Sequence, residues 1–106
     1  MAEVQELSNG EFNDFVKEGF VVVDFFADGC MPCLMMAPVV EELSEQMKGK
    51  VRFGKVNVGD NNELAQKFNV SSIPNFTFFK DGRVVGQVIG AVSKDELEEK
   101  INTFLN

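Results

Sequence analysis

The sequence predicts an α/β fold: a central mixed sheet of four to five strands flanked by four helices. Three observations carry this reading. Phe20-Val21-Val22-Val23-Asp24-Phe25-Phe26 is a nearly continuous β-branched and aromatic run, the pattern of a strand covered on both faces. Helix-like and strand-like periodicities then alternate, which implies right-handed crossovers within one sheet. Finally, two strand-like runs are joined across Asp81-Gly82, a strong hairpin signal that makes part of the sheet antiparallel.

The elements follow in order. A short first strand is expected around Val4-Gln5-Glu6-Leu7. Ser8 and Glu11 have capping-box spacing, and Phe12, Phe15 and Val16 follow at helical intervals up to Gly19. After the buried run comes a longer helix with apolar residues at Cys33, Met36, Ala37, Val40, Leu43 and Met47, closed by Gly49. Pro38 lies inside it and should kink it. Residues 51–58 largely alternate apolar with polar and read as the next strand, and residues 61–68 read as a short helix. Residues 70–74 read as a loop, 75–79 as a strand and 84–89 as its hairpin partner, with Gly86 inside. Ser93 and Glu96 form a second capping-box pattern that opens a final helix carrying Leu97, Ile101 and Phe104.

The 106 residues suit one domain, since two would each be too small to bury a useful core. With 44% hydrophobic and 25% charged residues the chain is globular in composition, not disordered. Its formal net charge of -7 disfavours phosphate backbones and anionic lipid, and no Lys/Arg cluster opposes it, so neither nucleic acid nor membrane is expected as a partner. The N-terminus has early acids and no apolar core of a secretory signal. No apolar run approaches the roughly 18 residues needed to span a bilayer. A cytoplasmic protein is expected. The chain has no histidine, tryptophan or tyrosine. Without imidazole, Cys-His and Ser-His nucleophile pairs are excluded, and acid–base work falls to carboxylate, lysine or thiol.

Both cysteines lie in Ala27-Asp28-Gly29-Cys30-Met31-Pro32-Cys33. Such a pair can be a redox couple, half of a metal site, or two buried apolar neighbours. In a reducing compartment two cysteines argue against a structural staple. Cys30 falls between the buried strand and the long helix, at or just before the helix N-terminus, where free N–H groups and the macrodipole favour a thiolate. Pro32 fits the first turn, where its missing donor costs nothing. Cys33 lies one turn in, and thiols at i and i+3 can close a disulfide with little backbone movement. One thiol is activated and exposed and the other sheltered within reach, which is what thiol–disulfide exchange needs. Asp24 interrupts the apolar strand six residues before Cys30. Burial should raise its pKa, so it could take the proton of Cys33 directly or through water.

The same stretch, with Ala37-Pro38 after it, resembles the signature of the thioredoxin family. The resemblance continues through Lys55-Val56-Asn57-Val58, Ile73-Pro74, Phe78-Phe79-Lys80-Asp81-Gly82 and Gly90-Ala91, in order and at the family's spacings. It implies a thioredoxin fold and a protein-disulfide reductase. Cys30 would attack and Cys33 would resolve, with Asp24 as the buried acid and Lys55 beside it on the neighbouring strand. Pro74 would be a cis-proline facing the disulfide. Ile73 would offer backbone groups to an extended target peptide, and Gly90 would leave room for it. Gly29, Met31 and Pro32 would complete that target-binding surface. No cofactor is implied beyond the Cys30–Cys33 redox disulfide. The partners would be protein disulfides and a thioredoxin reductase-type electron donor, and the protein would act as a monomer.

The departures from the family pattern are local. The usual Trp-Cys-Gly-Pro-Cys-Lys becomes Gly29-Cys30-Met31-Pro32-Cys33-Leu34, the second aromatic is Phe26, Ser72 precedes Ile73, and Asn75 stands where Thr is common. Losing the tryptophan removes a flat lid beside Cys30. Met31, Leu34 and Met35 offer a soft apolar docking surface in exchange, while Met36 and Met47 read as core. Oxidising relatives place histidine between the cysteines. Met31 and Pro32 carry no charge and Asp28 is acidic, so a reducing potential is expected. Two other readings remain. One is an adaptor of the same fold. The other is a two-chain, four-thiolate zinc or iron–sulfur site, which Gly29 would make sterically easier.

Overall fold

A computed structural model describes residues 4–106 of the chain. It contains β1 (Val4–Glu6), α1 (Asn9–Val16), β2 (Phe20–Phe26), α2 (Met31–Gln46), β3 (Arg52–Asn57), α3 (Asn62–Lys67), β4 (Asn75–Lys80), β5 (Arg83–Ile89) and α4 (Lys94–Leu105). The five strands form one sheet in the order β1-β3-β2-β4-β5. β1, β3 and β2 run parallel, while β4 is antiparallel to β2 and β5 to β4.

β2 sits at the centre, paired along both edges. All of its residues except Phe26 are buried. Its side chains alternate between two cores, as strand geometry requires. Phe20 and Val22 join Met36, Leu43, Phe53 and Phe78 beneath α2 and α4. Val21, Val23 and Phe25 join Phe12, Leu64 and Phe79 beneath α1 and α3. Asp24 therefore falls on the α2 side, and this parity decides which helix it meets.

Several local signals act as their chemistry requires. The Ser8 backbone N–H donates to Glu11 Oε1 at 3.0 Å and its hydroxyl to Oε2 at 2.8 Å, which fixes the start of α1. Ser93 Oγ accepts from the Glu96 N–H at 3.1 Å, one half of the expected box. α2 continues unbroken through Pro38. Asp81 (φ 49°) and Gly82 (φ 87°) are both left-handed, as a two-residue hairpin turn requires. Asp81 also ties the turn to Gly19: its Oδ1 accepts the Gly19 N–H and its own N–H donates to the Gly19 carbonyl, each at 2.9 Å.

β3 is mostly buried: Phe53, Gly54, Val56 and Asn57 are all buried and only Arg52 is exposed. It lies between β1 and β2, and its apparent alternation arises because Gly54 adjoins Leu7 and Phe15 where a side chain would not fit. Ala37 fits the helical spacing of α2 but does not belong to the core. It is exposed on α2 and lines the clefts beside Asp24.

Gly86 marks another close approach. A β-carbon there would lie 2.7 Å from Cε2 of Phe104, whose ring packs 5.9 Å from that of Phe78. The register irregularity of the β4–β5 pair falls between Phe78 and Phe79, beside this contact. Gly86→Val should push Phe104 and α4 off the sheet and cost about 1–3 kcal/mol by overpacking. The expected readout is a lower urea midpoint with an unchanged slope.

Candidate active site

The turn from β2 into α2 builds the site. Cys30 is the N-cap of α2, with extended backbone (φ -85°, ψ 105°), and its Sγ accepts the Cys33 N–H at 3.2 Å. One of the free donors at a helix start is thus spent on sulfur, and the contact favours negative charge there. Pro32 occupies the first turn, where no N–H is needed. Cys30 and Cys33 are joined as a disulfide with their Cα atoms 5.3 Å apart. Cys33 is buried at 5% exposure, whereas Cys30 is partly exposed. The outer and inner sulfurs expected from the spacing are therefore distinct in the structure. Gly29 has φ 79°, a left-handed conformation that suits glycine, and open space surrounds it.

Asp24 lies behind this turn. It is 6% exposed, and its Oδ1 is fully buried with no hydrogen-bond partner. Burial raises its pKa from 3.8 to about 7, and the charge of Lys55 acts in the opposite direction. Lys55 stands directly opposite Asp24 in the β2–β3 register. The two form no ion pair. Instead Lys55 Nζ lies 5.7 Å from the centroid of the Phe26 ring.

Asp24, Cys33 and Lys55 open onto one cleft of about 190 Å³, walled by Phe26, Leu34 and Ala37. A second cleft, beside Val4 and Glu41, also reaches Asp24, Ala37 and Lys55. The carboxyl is therefore buried yet bordered by space, on the same cleft as the inner sulfur. Among the described residues, no group of three or more metal-binding side chains comes together.

The remaining residues gather at the same end of the sheet. The Ile73–Pro74 peptide bond is cis, and Pro74 is buried. Asn75 pairs with Phe25 in the antiparallel register, so the loop before it lies beside the end of β2 that leads to Cys30. The Gly90 N–H donates to the Pro74 carbonyl at 2.8 Å, bringing the end of β5 against this loop. On α2, Met31, Leu34 and Met35 are exposed at 66%, 61% and 67%. They form an apolar surface on the first turn, and Met36 and Met47 are in the core as expected.

Sequence reasoning missed the part played by Phe26. The available signal was its spacing: two residues after Asp24 on one strand, it must share Asp24's face. It also missed the chain from Asn75 through Thr77 to Gln87. Thr77 Oγ1 donates to Asn75 Oδ1 at 2.7 Å and accepts from Gln87 Nε2 at 3.2 Å.

A protein-family model described as Thioredoxin matches residues 3–103. The chain belongs to the thioredoxin family. It is 43% identical to a thioredoxin of Chlamydia caviae over 99 residues, covering 93% of this chain and 96% of the relative. It is 40% identical to a thioredoxin of Listeria monocytogenes over 102 residues, covering 96% and 99%. The crystal structure of Malassezia sympodialis thioredoxin superimposes with a TM-score of 0.89 at 34% identity, covering all of this chain and 94% of that one. This thioredoxin-family protein is a thiol–disulfide oxidoreductase, a protein-disulfide reductase built on the Cys30–Cys33 pair. No helix among its described residues is long and apolar enough to cross a membrane.

The raised pKa of Asp24 has a consequence for stability. The folded state holds the proton more tightly than the unfolded one. Stability from the neutral carboxyl is therefore complete below pH 4 and is lost as pH rises through about 7. Asp24→Asn should leave stability nearly unchanged at pH 4 and raise it at pH 8, by roughly 2–4 kcal/mol. Urea unfolding of both proteins at the two pH values measures this.

Proposed function

We propose that the protein works as a single-domain monomer that reduces protein disulfides by a two-step exchange, with Asp24 as proton acceptor for the inner thiol. The observation that carries this is the shared cleft of Asp24 and Cys33, beneath the partly exposed Cys30.

The cycle starts from the dithiol. The Cys30 thiolate attacks one sulfur of a target disulfide, forming a mixed disulfide and releasing the target's other sulfur as thiolate. Cys33 then gives its proton to ionised Asp24, directly or through water in the cleft. Its thiolate attacks Cys30 Sγ, and the second target sulfur leaves. Two electrons pass to the target, and the Cys30–Cys33 disulfide remains. A thioredoxin reductase-type donor returns them.

Lys55 keeps the ionised carboxylate accessible near neutrality. Target binding falls to the surface around the outer sulfur. Met31 and Pro32, with Leu34 and Met35, present an apolar rim. Gly29 leaves the approach open. Ile73 supplies backbone groups to an extended peptide, and Pro74 and Gly90 shape the floor beneath it. The uncharged Met31 and Pro32, with acidic Asp28 nearby, do not stabilise the thiolate, so the potential lies on the reducing side. The cytoplasm, a reducing compartment, suits this cycle.

Reduction of insulin by dithiothreitol tests the cycle. The protein should accelerate precipitation, and Cys30→Ser should abolish the effect. Cys33→Ser should accumulate a mixed disulfide visible by non-reducing electrophoresis, and Cys30→Ser should not. The reverse pattern would exchange the two roles. The resolving step should quicken as pH rises through about 7. Asp24→Asn should remove that rise and slow the step by roughly 10²-fold, the usual contribution of a general base.

A further inference from the structure

The lysine beside Asp24 faces two residues of β2 across the cleft. One is the carboxylate across the strand register. The other is the ring of Phe26, two residues further along β2 on the same face. The structure shows the second: Lys55 Nζ lies 5.7 Å from the ring centroid, within cation–π range, and makes no ion pair with Asp24. Asp24 Oδ1 is left fully buried and without a partner. The ring meets the ammonium at the mouth of the cleft, where Phe26 is partly exposed.

We propose that Phe26 is a positioning residue: its ring holds the Lys55 ammonium at the cleft mouth and withholds it from the Asp24 carboxylate. The proposal rests on the reading of Asp24 as proton acceptor for Cys33, and extends it to what sets the acceptor's strength. Without the ring, the ammonium falls back onto Asp24, and a paired carboxylate is a poorer base. Other ionisable groups surround the carboxyl as well. Cys33 and Glu41 on α2 and Asp28 in the turn line its two clefts, and Glu6 on β1 is in register with Lys55. From β4 the residue in register is apolar Phe76. Of these, Lys55 is the charge that acts on Asp24.

The test is a carbon NMR titration of the Asp24 carboxyl in the oxidised protein, where neither thiol titrates. Phe26→Leu should lower the midpoint by roughly half a pH unit, the size of a partly exposed cation–π contact. Phe26→Trp, which retains a ring face, should leave the midpoint at or above its original value. Lys55→Met should raise it, and in that background Phe26→Leu should no longer move it. The pH profile of the resolving step should follow each shift. An unchanged or raised midpoint in Phe26→Leu, or an equal fall without Lys55, would overturn the proposal. Midpoints that shift as expected while the profile of turnover stays fixed would uphold the Phe26 contact and overturn the role of Asp24 instead.

Discussion

β2 is hydrogen-bonded along both edges and covered on both faces, and that enclosure constrains everything at the site. An enclosed strand tolerates polar side chains poorly, yet Asp24 stands in its middle. The strand's alternation turns Asp24 toward α2, and the next turn of chain places Cys33 on the same side. The cost of keeping this carboxyl out of water is not repaid by an ion pair or by a hydrogen bond to Oδ1. That cost raises its pKa to about 7, the range in which the proposed cycle needs a base. In that cycle stability and reactivity are opposed at one residue.

The second contribution comes from topology. Reversing β4 against β2 brings the loop before Asn75 to the end of the sheet where α2 begins. Residues more than forty positions apart, Cys30 and Pro74, thereby come to the same end of the sheet. Gly90 then arrives from β5 and closes against Pro74 through a backbone hydrogen bond. The inner sulfur and the Asp24 carboxyl lie within the sheet's cover, and the partly exposed Cys30 lies at its rim. The division follows from where β2 ends and where α2 starts.

Much of this was legible in the sequence. Phe20–Phe26 announced a central strand because only two-sided burial suits such a run. The paired cysteines beside it announced a helix start, since Pro32 belongs in a first turn. Asp24 was conspicuous as the single acid in an apolar strand. Other features depended on neighbours distant in the chain. The alternation of β3 does not tell its burial, because β1 adds a further edge and Gly54 hides under Leu7. Ala37 fits the helical period yet is exposed and lines the clefts beside Asp24. The turn of Lys55 toward Phe26 depends on side-chain direction across two strands, which periodicity does not encode.

Phenylalanine is the only aromatic residue type in the chain, and one of its eleven rings, Phe26, stands at the cleft beside the disulfide. Neither indole nor phenol is present, so the protein is nearly dark in the near ultraviolet. Its intrinsic emission therefore contributes almost no background to a complex. A partner's tryptophans could be followed through docking and exchange without labelling either molecule. A single indole introduced into this chain would likewise report its own surroundings alone, with the nearby disulfide as a built-in quencher that disappears on reduction.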